Sequence, residues 1–214
     1  MYNKLINHLP SGTLSFDVDQ LFTDFDYLGL FKKYGSCCLF INSLLCRALR
    51  KKQYQAELIV CYAKLEDEQR TILLGHPNYI APGQLAGHVF CLVDNQYLID
   101  FGLGNLRKFD PYFAQAVACT TSEDASYIAS TTTSSQKKLT WLGNHTIPDL
   151  KIAIHAQESG VVKAMSSIEK FQSDRLGHCV RKTLNPMHRQ SGTSIISTQS
   201  NNWPLKNFDD TLQP

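Results

Sequence analysis

Cys38, His88 and Asp100 are the residues of this chain whose types and surroundings suit covalent chemistry. A cysteine attacks only as its thiolate, and a free thiol near neutral pH is mostly protonated. The first turn of a helix favours the anion, because unpaired backbone N–H groups and the positive end of the macrodipole meet there. An imidazole alongside would add an ion pair, and a carboxylate on its far nitrogen would fix the imidazole's tautomer. Cys38, at the start of an apolar helical segment, fits the first requirement. His88 and Asp100, on neighbouring strands of one expected hairpin, fit the other two. The adjacent Cys37 is the rival nucleophile, but Cys38 shares a helical face with Ile41, Asn42 and Leu45 and is preferred on that spacing.

The elements that must position these groups follow from pattern. Leu21, Phe22, Phe25, Leu28, Leu30 and Phe31 give residues 17–33 a mixed helical periodicity of one or two short helices. Tyr34-Gly35-Ser36 is a turn, with Ser36 the expected N-cap of a helix over 37–51 that ends in Arg47, Arg50, Lys51 and Lys52. From Gln55 the period becomes that of strands. AELIVCYAKL, a charged turn and TILL form one hairpin, and HVFCLV followed by QYLIDFGLG forms a second. The loop GHPNYIAPGQLAG leads into His88.

Strand geometry sets a condition on the pair. His88 and Asp100 have the same parity, so a flush two-residue turn at Asp94-Asn95 would point them to opposite faces of the sheet. A three-residue turn or a bulge is therefore required.

Beyond Phe109 the signals fade. Ser and Thr dominate residues 119–135, which reads as a connector without structure of its own. Strands are expected at 150–155 and 193–198, with a short helix near 161–172. The chain thus divides into a helical region (1–54), a β region carrying the His and Asp (55–118), a connector (119–140) and a reduced α/β region (141–214).

Composition excludes several classes. The chain has 214 residues, 43% of them hydrophobic, and a net charge of +2, as expected for an ordinary globular protein that needs no metal or disulfide to fold. Its basic cluster lies where a helix ends, so dipole complementarity explains it without nucleic acid. The N-terminus lacks the apolar core of a secretory signal and no run is long enough to span a bilayer, which points to the cytoplasm and to no membrane partner. The seven cysteines show no CxxC pair or zinc-type spacing, so neither a metal site nor a disulfide framework is expected. His76 reads as a turn or substrate-loop residue, and His155 and His178 have no nameable partner.

Three segments carry a resemblance. Gly35-Ser36-Cys37-Cys38, with Asn42 four residues after Cys38, resembles the nucleophile motif of the arylamine N-acetyltransferases. His88-Val89-Phe90-Cys91-Leu92-Val93 is similar to that family's histidine strand, and Tyr97-Leu98-Ile99-Asp100-Phe101-Gly102-Leu103-Gly104 to its aspartate segment. The likeness covers about residues 17–106. It implies an α+β fold in which N-terminal helices bearing the nucleophile pack on an antiparallel sheet or partial barrel, a core of papain-like or transglutaminase-like type, with a reduced C-terminal region. It implies ping-pong transfer of an acetyl or other acyl group from a CoA thioester, acetyl-CoA or another acyl-CoA, to a small-molecule amine. It also implies that Gly102, Leu103 and Gly104 lie near the cofactor's pyrophosphate. Two other readings stand beside it: a transglutaminase-like or papain-like hydrolase or crosslinking enzyme acting on amide bonds, and a toxin, effector or catalytically silent binding protein on the same scaffold.

Overall fold

The computed structural model describes residues 5–14, 17–76, 78, 86–133, 136–143 and 150–183, with side chains up to Arg175. The chain divides into two units, Met1–Leu176 and Gly177–Pro214. The first holds the sheet, the N-terminal helices and the candidate site; the second is described only over its helical residues 177–183. The fold is α+β, with a mixed, curled sheet and helices.

Helix α1 (Val18–Tyr27) is capped by Asp17, whose carboxylate accepts from the N–H groups of Asp19 and Gln20. Val18, Leu21, Phe22 and Phe25 form its buried stripe. Gly29, at φ 69°, turns the chain into the short α2 (Leu30–Tyr34). Helix α3 (Cys38–Lys51) follows. Its N-cap is Cys37 rather than the expected Ser36, because Cys37 N–H closes a turn onto Tyr34 O and delays helical geometry by one residue.

The strands are β1 (Leu5–Asn7), β2 (Ala56–Glu66), β3 (Thr71–Leu74), β4 (His88–Val93), β5 (Tyr97–Asp100), β6 (Ala116–Thr120), β7 (Ala129–Thr132) and β8 (Lys138–Leu142). They form one sheet in the order β1-β6-β5-β4-β2-β8-β7, with β3 also paired to β2. Among the described residues, only β1 and β6 run parallel; the other pairings are antiparallel. The long β2 is shared along its length: Ala56–Cys61 pairs with β4, and the remainder with β3 and β8.

Alternation gives the sheet two buried faces. Cys91, Val93 and Ile99 pack with α1, α2 and α3 in one core, while Cys61, Ala63, Phe90, Leu98, Leu139 and Trp141 build the other. Phe101 follows Asp100 into the helical core, edge-on to Phe22 and Phe25 at ring-centroid distances of 5.8 and 5.3 Å. Phe31 of α2 meets the same ring at 5.4 Å, so the two helices hold the side chain that follows the carboxylate.

The C-terminal half departs from the expectation. The Ser/Thr-rich connector holds the end of β6, all of β7 and the start of β8. Its Thr131 and Thr140 are buried, because β-branched hydroxyl residues suit a pleated surface as well as a loop. Residues 150–155 are not a strand but the opening of α4 (Leu150–Thr183), which also absorbs the expected helix at 161–172. Ile152 and Ile154 suggested alternation, but Val161, Ala164, Met165 and Ile168 continue at helical spacing and bury against the helical core. The strand expected at 193–198 lies outside the described residues. Among the described residues, no helix is long and apolar enough to cross a membrane.

Candidate functional site

The β4–β5 ladder pairs Val93 with Tyr97, Leu92 with Leu98 and Cys91 with Ile99. Three residues thus lie between Val93 and Tyr97. Asp94 and Asn95 both adopt left-handed backbone, at φ 49° and 58°, and Gln96 N–H returns to Val93 O at 3.0 Å. Gln96 is the extra residue, and it moves the register by one. Asp100 consequently stands opposite Phe90 and shares its face with His88. The condition derived from parity is met.

His88 and Asp100 are 1% and 0% exposed, and His88 Nε2 lies 2.6 Å from Asp100 Oδ2. Three further groups donate to the same carboxylate: Trp141 Nε1 to Oδ2 at 2.9 Å, Gly102 N–H to Oδ1 at 2.8 Å and Asn42 Nδ2 to Oδ1 at 3.1 Å. Asn42 is itself held, donating to Val89 O at 2.7 Å and accepting from Phe101 N–H at 3.0 Å. A carboxylate with this many donors is fixed as an ionised acceptor. Burial alone would raise its pKa, but His88, Trp141 and Gly102 outweigh that and hold it below the usual carboxylate range.

The other ring nitrogen of His88, Nδ1, is buried and makes no hydrogen bond of regular geometry. The Cys38 thiol lies close enough to act on the imidazole both as a charge and as a hydrogen-bond partner. Burial pushes the His88 pKa down, yet the charges of Asp100 and Cys38 and the bonds to both raise it to about 10. The imidazole is therefore held as a cation between two groups that are anionic when ionised.

Cys38 is the first residue of α3, and that helix has no side-chain cap. Cys38 is partly exposed. Cys37 is exposed at its surface, but enough protein surrounds it that desolvation raises its thiol pKa, against the opposing effects of Phe40 N–H and Gln157. Cys61, directly opposite His88 on β2, is buried and raised well above the ordinary thiol value, first by desolvation and then by the charges of Asp100 and Cys38. Cys119 is pushed by burial up to about 12. Burial thus disfavours the thiolate at each of these three.

The glycine-rich turn after Asp100 has packing reasons of its own. A Cβ on Gly102 would lie 2.7 Å from the Cα and Cβ of Cys38 and 2.8 Å from Asn42 Nδ2. One on Gly104 would lie 2.5 Å from Gly35 O, the carbonyl that accepts the Gly104 N–H. Gly102 and Leu103 are buried, and of the three residues only Gly104 has surface to offer a ligand. Asn105 donates to Ser36 O at 2.8 Å, and the turn thereby pins the segment leading into Cys38.

The chain matches no protein-family model, and no curated protein or solved structure is significantly similar to it.

Of the residues singled out by sequence, Cys38, His88, Asp100, Asn42 and Gly102 converge. His76 does not join them: its ring meets Tyr62 edge-on at 5.2 Å and its Nδ1 accepts from Asn78 N–H. His155 is exposed on α4, and the side chain of His178 lies outside the described residues. Sequence reasoning missed Trp141. The alternation of Lys138-Leu139-Thr140-Trp141-Leu142 was available as a strand signal, but nothing local announces that the indole meets a carboxylate 41 positions earlier.

Proposed function

We propose that the protein is an acyltransferase of the kind the three sequence segments resemble, moving an acyl group from a CoA thioester to an amine through an acyl-Cys38 intermediate. The observation that carries this reading is the continuous arrangement of Cys38, His88 and Asp100, with Asp100 ionised among four donors and His88 held as a cation. The Cys38 thiolate attacks the thioester carbonyl, and the first-turn N–H groups of α3 face the developing oxyanion. The C–S bond to CoA breaks, and the leaving thiolate takes the proton from His88. An amine then attacks the acyl-cysteine, His88 accepts the amine proton, and Cys38 departs as thiolate. Asp100 orients the imidazole and balances its charge throughout. The papain-like or transglutaminase-like core, acetyl-CoA as donor, a contact of Gly102–Gly104 with its pyrophosphate and a cytoplasmic setting belong to the same proposal and rest on the sequence resemblance.

Intact-protein mass spectrometry of wild type and Cys38→Ala, after incubation with acetyl-CoA and separately with longer acyl-CoAs, tests it. A single acyl addition is expected on wild type alone, removed when an arylamine or hydrazine is added. Absence of any adduct, while iodoacetamide still alkylates Cys38 near neutral pH, would overturn acyl transfer and favour an amide hydrolase or crosslinking enzyme.

A further inference from the structure

Helix α4 lies along α3 in a definite phase. Gln157 Nε2 meets Cys37 Sγ at 3.7 Å. Glu158 pairs with Arg47. Gly160 faces the Phe40 ring, with its hypothetical Cβ 3.1 Å away. Glu169 pairs with Lys51. Gln157 and Gly160 thus meet the start of α3, at Cys37 and Phe40, while Glu158 reaches along the helix to Arg47 and Glu169 meets its last residue, Lys51. The seven residues before Gln157 project beyond the nucleophile end of α3, by roughly 10 Å at helical rise.

That overhang is not idle. Leu150, Ala153 and Ile154 pack onto the small apolar cluster of Leu39 and Val89, which Leu58, Val60 and Cys38 itself also join. Leu39 follows the thiol on α3 and Cys38 itself packs against this cluster, so the opening turns of α4 lie beside the nucleophile end of α3. Apart from Cys38, the named side chains of this cluster are aliphatic. The far end of the helix is tied down separately: Gln172 and Arg175 donate to the buried carboxylate of Asp24 at 2.8 and 2.9 Å, and Phe171 stacks on Tyr27 at 4.6 Å.

We propose that the first two turns of α4, Leu150–Gln157, wall the approach to the Cys38 thiol, and that Ala153 and Ile154 set the breadth of the apolar group admitted beside it. The inference rests on Cys38 being the nucleophile of the reading above, and it deepens that reading by assigning size selection to a helix outside the segments that carry the resemblance. Apolar walls select by bulk, since each added carbon must find space or displace a neighbour.

The test compares two maleimides of the same reactivity but different breadth, N-methylmaleimide and N-benzylmaleimide, on the full chain, with modification of Cys38 and Cys37 separated by peptide mass spectrometry. Ala153→Phe is expected to slow the benzyl reagent at Cys38 by about tenfold while changing the methyl reagent by less than about threefold. Ile154→Ala is expected to raise the benzyl-to-methyl ratio about fivefold. The Glu158→Ala, Glu169→Ala double variant removes both ion pairs to α3 and leaves the wall residues in sequence, so it should raise the ratio in the same direction by loosening the helix. A ratio unchanged within about twofold in Ile154→Ala and in the double variant would overturn the proposal, whatever the fate of Ala153→Phe. Failure of the acyltransfer reading shows up separately, as wild type that takes no acyl group from any thioester while these ratios still move.

Discussion

Asp100 and Asp24 are both carboxylates taken out of water, at 0% and 2% exposure, and the protein uses them in opposite ways. Asp100 is fully buried, and its donors are an imidazole and an indole on strands, a buried asparagine on α3 and the backbone amide of the turn that follows β5. Asp24 accepts from Gln20 on its own helix and from Gln172 and Arg175 on α4, and the Arg175 side chain remains 42% exposed. The first carboxylate orients the His88 imidazole. The second joins two helices. A buried charge is costly unless satisfied, and satisfaction by short rigid donors gives direction, whereas satisfaction by long flexible ones gives attachment.

Substitutions can break this contrast. Asp100→Asn keeps the shape but removes the charge opposite His88 and permits the wrong tautomer; acyl transfer at Cys38 is expected to fall about 10³-fold, read as single-turnover acylation by mass spectrometry. Gly102→Ala drives a methyl group into the backbone of Cys38 and the amide of Asn42; it should cost about 2 kcal/mol in urea denaturation and remove most activity through displacement of α3, although no reacting group is changed. Trp141→Phe deletes one charge-assisted donor while keeping an aromatic ring; about a tenfold loss of acylation rate is expected, corresponding to a hydrogen bond to a charged group of about 1.5 kcal/mol.

The pH dependence of stability sharpens the same point. His88 is raised in the folded state to about 10, so its contribution is complete below its ordinary value of 6.5 and disappears as pH climbs through about 10. Asp100 is depressed, so its contribution is complete above 3.8 and disappears as pH falls through the lower folded value. The gap in urea midpoint between wild type and His88→Gln should therefore narrow between pH 7 and 10.5. Asp24→Asn should have the smallest effect on chemistry: about 1 kcal/mol of stability, discounted for the exposure of Arg175, with iodoacetamide reactivity of Cys38 within about twofold of wild type. A large loss of reactivity in that variant would erase the distinction between the two carboxylates.

What could be read from sequence was whatever is recorded locally. The helix bearing Cys38, both hairpins and the parity condition on His88 and Asp100 follow from residue patterns within short windows. The position of Trp141 does not, because it depends on β8 pairing with β2 across a long sequence separation. The strand β7 was hidden for a different reason: Ser and Thr serve loops and half-buried strands alike, so composition could not decide between them. Helix α4 was misread at its start because Ile152 and Ile154 alternate locally, while its length and the buried stripe from Val161 to Ile168 emerge only over a longer window.

The hairpin between His88 and Asp100 also determines where the chain tolerates a change of length. Gln96 is a spacer, and if it were deleted with Tyr97 still opposite Val93, Asp100 would keep its place opposite Phe90 and its bond to His88. Deleting Leu98 instead would slide Asp100 opposite Cys91, turning its carboxylate from the imidazole into the helical core. Two single-residue deletions a few ångströms apart, neither touching a reacting group, would thus leave one protein with its chemistry intact and the other with a stranded charge.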